Sequence, residues 1–470
     1  MSLASGTAGL DTQLLAGIVA IAGDGDAYEQ LRAAGRSCRF CAEPVRLTGS
    51  SVSVDAATGE VLESFSSGAQ PNGELLKPCG TRRASRCAAC AEVYKGDARQ
   101  LVRAGLVGGK GVDASVASHP TVFATLTAPS FGTVHRHPNG GGPCQAKRPG
   151  RCRHGRPLFC LVHHGEHDAT VGEALCAECY DYERAVLFNA TVSELWRRTT
   201  IYAKRQLARL AHVSPGELDE MVRLSYVKVA EFQRRGVVHL HVLCRLDGAD
   251  GTAPPARFSA SLLALALRIA VGQVSAPYPG ERGEARWGEQ FDGRVLDAST
   301  GATRRVANYL AKYATKGSDD HGALDRRLRS SDDLARRALS AHLRQMAEAA
   351  WRLGEDEALA RLRLRNWAHT LGLRSHFLTK SRRFSTTFTA LRGARQAHRR
   401  TEHLARAGVA LPRSGELVVI GEWSYAGSGW PSHVEAFLIA QEAERVATAR
   451  QLAYEEDLLR QPHVAPGVSA

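Results

Sequence analysis

The stretch Leu224–Leu246, LSYVKVAEFQRRGVVHLHVLCRL, decides the fold around it. Two runs rich in Val, Leu, Tyr and Phe flank Arg234, Arg235 and Gly236, which is the pattern of a β-hairpin. Gly236 takes the third loop position, where a three-residue connection calls for a left-handed backbone that glycine adopts without a Cβ penalty. Side chains alternate faces along a strand, so His239 and His241 point the same way, and a register centred on Arg235 sets Glu231 opposite His239. Two imidazoles and a carboxylate on one sheet face suit a divalent cation, Mg2+ or Mn2+, and leave positions open for phosphate oxygens. A bare His-x-His is more often a pair of strand histidines satisfied by backbone partners; the opposed glutamate is what lifts this one.

Further along, Arg304–Lys316 is a basic stretch ended by Gly317 and reads as a helix. Residues four apart share a helical face, so Tyr309 and Tyr313 are neighbours, with Lys312 and Lys316 beside them and Arg304 and Arg305 one turn before. A phenol with a pKa of about 10 is a poor nucleophile at neutral pH. Nearby cations, and a metal that polarises a scissile phosphate, answer that weakness. A Tyr-x-x-x-Tyr pair alone is more often a core stripe; its combination with the hairpin points to nucleophilic attack on DNA.

The ordered set Val122–Pro129 (VFATLTAP), His239-Leu240-His241 and Tyr309–Lys316 (YLAKYATK) resembles the three motifs of rolling-circle replication initiators in the HUH endonuclease superfamily. The stretches Cys176–Tyr182 (CAECYDY), Arg286–Gln290 (RWGEQ) and His376–Arg383 (HFLTKSRR) look like those of the initiators of actinobacterial plasmids and integrative elements. The resemblance implies an HUH nuclease domain with a central antiparallel sheet flanked by helices. It implies that His239 and His241 bind metal, with Glu231 as third ligand. Tyr309 and Tyr313 match the paired tyrosines, with Tyr313 favoured as first nucleophile and Lys316 placed to contact phosphate. The strand through Thr125 and Thr127 should lie beneath the site. The implied activity is nicking of one origin strand through a 5′-phosphotyrosine, leaving a 3′-OH that primes synthesis. Implied partners are single- and double-stranded origin DNA, a host helicase and a DNA polymerase. Conjugative relaxases usually place their tyrosines before the histidines, so the order here disfavours them. An HUH transposase with an N-terminal zinc module, and a zinc-stabilised DNA-binding regulator that cuts nothing, are the alternatives.

Composition agrees with an anionic partner. The 470 residues carry a formal charge of +13 and a pI near 9.4, and lysines and arginines that neutralise phosphates release counterions. Only nine of the 61 basic residues are lysine, a bias that a high-GC genome also produces, so the arginine count is discounted. A second basic cluster, Lys380, Arg382 and Arg383, is a candidate DNA contact. The longest apolar run, Ala260–Val274, is interrupted by Arg268 and reads as an amphipathic helix, not a membrane span. With no secretory signal, a bacterial cytoplasm and reduced thiols are expected.

The eleven cysteines then read as ligands for two structural zinc ions. Cys38, Cys41, Cys79, Cys87 and Cys90 offer five candidates for four places, with Cys41 or Cys79 left over. Cys152, Cys160, Cys176 and Cys179 form the second set, with Cys144, His154, His163, His164 and His167 as alternatives. Cys244 reads as a core residue. The fold class expected is α+β, organised as a zinc-binding region over 30–118, the nuclease domain over 119–317 with an inserted zinc cluster at about 140–181, and a basic, mainly helical region over 318–470. Helices are expected at Tyr182–Leu210, Pro215–Val222 and within Leu334–Thr370, and a strand within Trp287–Leu296.

Overall fold

The turn at Gly236 forms as its chemistry demands: Gly236 has φ 73°, and its N–H donates to the carbonyl of Gln233. Around it the strands Val222–Phe232 and Val238–Gly248 pair antiparallel, with Glu231 opposite His239. The computed structural model describes residues 11–138, 142–145, 150–296, 302–315, 326–408 and 417–460. The chain divides into two units, one of residues 95–392 and one built from 1–94 together with 393–470.

The larger unit holds a five-stranded sheet in the order Leu378–Lys380, Val222–Phe232, Val238–Gly248, Thr121–Leu126, Phe291–Val295. Every neighbouring pair is antiparallel. Strand alternation gives the sheet two unlike faces. One presents Val122, Ala124, Leu126, Ala230, Phe232, Leu240, Val242 and Cys244 to a core shared with the helices Tyr182–Leu210, Ala260–Gln273 and Ala341–Leu353. The other presents Thr125, Glu231, His239 and His241, and the helix Ala302–Thr315 packs against the strand Val222–Phe232. The helix at Tyr182 is capped by Asp181 and that at Pro215 by a Ser214–Glu217 capping box, the local signals that start them where the sequence predicts.

The smaller unit has a four-stranded sheet in which Leu417–Ser428 pairs with Val45–Asp55, which also pairs with Val61–Ser66 and Leu75–Lys77. Leu31, Leu438 and Ile439, from the helices Gly25–Ser37 and His433–Arg460, form a small buried cluster there.

Mixed α and antiparallel β structure is as expected. The described part of residues 318–470 is mainly helical, with two strands set among its helices. Leu378–Lys380 is the edge strand of the larger sheet, and Leu417–Ser428 is a twelve-residue strand whose partner lies near the other end of the chain. None of the eleven cysteines is joined in a disulfide. Among the described residues no helix is long and apolar enough to cross a membrane.

Candidate metal and tyrosine site

On the sheet face away from the apolar core, one carboxylate oxygen of Glu231 lies 2.7 Å from His239 Nε2 and 2.8 Å from His241 Nε2. The neighbouring strand fixes the second ring: Thr125 Oγ1 is 3.1 Å from His241 Nδ1, which leaves Nε2 for the site. His241 is buried at 2 % exposure, while Glu231 and His239 are half-buried. Burial works against ionising Glu231, but the hydrogen bonds from the two imidazoles outweigh it and hold the carboxyl at about 2. Burial also lowers His241, against the pull of Glu231, so its neutral, ligating form is favoured. A cation with bonds of about 2.1 Å in octahedral geometry needs neighbouring ligand atoms about 3 Å apart. The two edges to Glu231, at 2.7 and 2.8 Å, come close to it, and the ligand atoms of all three residues lie within 4.8 Å of one another.

The tyrosines reach the same place. Tyr309 and Tyr313 lie with ring centroids 4.6 Å apart, and each is about one ring from His241, at 5.0 and 5.1 Å. The Tyr309 hydroxyl is 3.5 Å from His241 Nε2, and its ring meets Phe123 edge-on at 5.8 Å while Phe123 stacks on His241. Burial, then the charge and hydrogen bond of Tyr313, push the Tyr309 phenol well above its ordinary value. Lys312 Nζ sits 5.8 Å from the Tyr313 ring centroid.

Other expected contacts are distributed differently. Lys316 lies outside the described residues, as does the Arg304 side chain; Arg305 is exposed. Lys380 turns back to donate to the carbonyls of Ser381 and Arg382, while Arg382 and Arg383 are exposed. Lys380 pairs with Val227, four residues before Glu231, so this cluster stands about 13 Å along the strand from the carboxylate.

Several residues that position the site carried no obvious signal. Asn189, fully buried in the helix Tyr182–Leu210, donates to the carbonyls of Gly236 and Leu371 and accepts from the N–H of Val238, so it grips the hairpin turn from behind. A lone Asn in the apolar run Ala185–Val192 is the one clue the sequence offered. Arg235, the residue on which the hairpin register is centred, donates to the carbonyls of Ala128 and Pro129, and His342 Nε2 bonds its backbone carbonyl.

The cysteines sort into different sets from those expected. Cys41, Cys79, Cys87 and Cys90 converge, and the spare thiol is Cys38, not Cys41 or Cys79; Cys38 instead donates to the carbonyl of Gly35. Sγ separations of 3.7 and 3.9 Å match the edge of about 3.8 Å for a tetrahedron with 2.3 Å zinc–sulfur bonds. Cys152, Cys176 and Cys179 gather with His154, not with Cys160. Cys160 joins His135, Cys144 and His164. An antiparallel bridge between Gln145 and Cys160 brings Cys160 back beside Cys144, away from Cys152. These groups can hold metal ions.

A family model described as RepSA, replication initiator protein, pSAM2, matches residues 27–444. A replication initiator protein of Streptomyces ambofaciens is 41% identical over 440 residues, covering 90% of this chain and 92% of that protein. No solved structure matches the chain.

Proposed function

The chain belongs to the RepSA family of replication initiator proteins, and from that premise we propose that it starts rolling-circle replication by nicking one origin strand in the HUH manner. The observation that carries the reading is the convergence of Glu231, His239 and His241 with Tyr309 and Tyr313 on one sheet face.

In this reading Glu231, His239 and His241 hold Mg2+ or Mn2+, which when bound supplies Lewis-acid polarisation of a phosphate oxygen. Thr125 keeps His241 in the tautomer and orientation that expose Nε2. Tyr309, driven upward by burial and by Tyr313, keeps its proton and donates toward its partner. Tyr313, beside the Lys312 ammonium, is the first nucleophile. Its phenol gives up its proton as the oxygen forms a bond to phosphorus, the bond to the 3′ oxygen breaks, and that oxygen takes up a proton to become the primer hydroxyl. The 5′ end stays on the enzyme as a phosphotyrosine. Tyr309, one helical turn earlier, then serves the strand transfer that ends the round.

The test is incubation of the full chain with a labelled single-stranded origin oligonucleotide and Mn2+, resolved on denaturing gels. The parent protein yields a covalent protein–DNA adduct, Tyr313→Phe loses the first cleavage, and the double Tyr309→Phe, Tyr313→Phe variant yields none. Cleavage persisting in the double variant rejects the tyrosine mechanism.

A further inference from the structure

The insertion between the first strand of the larger sheet and the helix Tyr182–Leu210 has little to hold it together by packing. Phe159, Leu161 and Val162 are 39, 62 and 57 % exposed, and among its described residues the regular structure amounts to isolated bridges and the short 3-10 turn Ala177–Cys179. Yet His135, Cys144, Cys160 and His164 bring their ligand atoms together within it. His135 Nδ1 is 3.2 Å from His164 Nε2, Cys160 Sγ is 3.5 Å from that same Nε2, and Cys144 Sγ is 3.8 Å from His135 Nδ1. With zinc–sulfur bonds of 2.3 Å and zinc–nitrogen bonds of about 2.05 Å, tetrahedral edges run from about 3.3 to 3.8 Å. The three observed separations lie within about 0.3 Å of those edges.

The surroundings are those of a ligand set as well. His164 Nδ1 lies 2.6 Å from a carboxylate oxygen of Asp168, whose other oxygen accepts from the Thr170 N–H and hydroxyl. Such a carboxylate fixes the ring so that Nε2 faces a metal, the usual arrangement behind a ligating histidine. The Arg136 N–H points at Cys144 Sγ from 3.1 Å, a donor suited to a thiolate. Two thiolates and two imidazoles in tetrahedral array select zinc among common divalent ions.

The segment that follows the ligand His164 runs to the hairpin tip. Arg234 Nη1 donates to the carbonyl of Glu166, and Gly172 packs so closely on the Arg234 backbone that a Cβ there would meet it at 2.5 Å. Glu173 accepts from the N–H of His342, which in turn holds the Arg235 carbonyl. We propose that His135, Cys144, Cys160 and His164 form a Cys2His2 zinc centre of their own, separate from the two expected from sequence, which clamps residues 164–173 onto the hairpin that carries Glu231 and His239.

The test uses the full chain and three readouts. In zinc-replete parent protein, Cys160, although only half-buried, should resist alkylation by N-ethylmaleimide, and a zinc chelator should expose it, as peptide mass spectrometry reports; buried Cys244 serves as internal control. His164→Ala should carry one zinc per chain fewer than the parent, His164→Cys should restore it, and His164→Ala should raise amide exchange across residues 233–238. Cys160 labelling at the same rate with and without chelator overturns the centre, as does full zinc content in His164→Ala. Unchanged exchange at the hairpin in a zinc-depleted His164→Ala overturns the clamp. If His164→Ala does not fold, the alkylation of the parent decides.

Discussion

Replacing Asn189 by Leu removes a side chain that ties the turn between Phe232 and Val238 to the helix behind it, at nearly constant volume. Three buried groups lose their partners: the carbonyls of Gly236 and Leu371 and the N–H of Val238, each now bonded at 2.9 Å. A buried polar group left unpaired costs about 1–3 kcal/mol, and the two carbonyls retain some freedom to relax, so about 4 kcal/mol is expected in total. That is a large fraction of a domain stability of about 5–15 kcal/mol. With an m-value of about 3 kcal/mol per M, the urea midpoint of the larger unit should fall by about 1.3 M. Leu267→Ala is the control, since it opens a cavity in the helix Ala260–Gln273 at about 2–5 kcal/mol without touching the turn. Asn189→Leu should raise the Mn2+ concentration needed for half-maximal cleavage well above that of Leu267→Ala. A midpoint shift under about 0.3 M, or the same Mn2+ requirement in both variants, refutes the role given to Asn189.

Two further outcomes are expected. Lys228 is buried at 5 % exposure, and burial pulls its ammonium from 10.5 down to about 8. Between those values the folded chain carries one proton fewer than the unfolded chain, so stability rises with pH across that window. Lys228→Met should flatten that rise and add about 3 kcal/mol near pH 7, and superimposable pH profiles of the melting midpoint in the two proteins contradict it. Glu231→Gln keeps the shape of the carboxylate but not its charge, so half-maximal cleavage should need at least about tenfold more Mn2+; an unchanged requirement removes Glu231 from the metal site.

The hairpin and its register were legible because two local rules agree: a glycine where the turn needs positive φ, and strict alternation on either side of it. The helix carrying Tyr309 and Tyr313 was legible for a similar reason, its four-residue spacing ending at a glycine. The partition of cysteines was not. Loops have no period, so spacing along the chain could not tell that Cys160 would turn toward His135 while Cys152 joined His154, and His135 offered no Cys-x-x-Cys context to mark it. The strand Leu417–Ser428 was hidden because Gly421 and Gly427 interrupt its pattern, and the strand that completes it lies near the opposite end of the chain. Asn189 and Arg235 act through backbone carbonyls made available by tertiary folding, which no local pattern encodes.

The sheet formed by Val45–Asp55 and Leu417–Ser428 has a consequence for how the protein is made. On a ribosome adding about 5–20 residues per second, the early strand must wait on the order of tens of seconds before its partner leaves the exit tunnel. Residues 95–392 are made within that wait, and the last of them only shortly before its end. Throughout that interval one edge of Val45–Asp55 has bare N–H and C=O groups, open to pairing with other nascent chains. Translation that stops short of Leu417 therefore costs the molecule its beginning as much as its end, leaving the first-made strand without the neighbour that closes it.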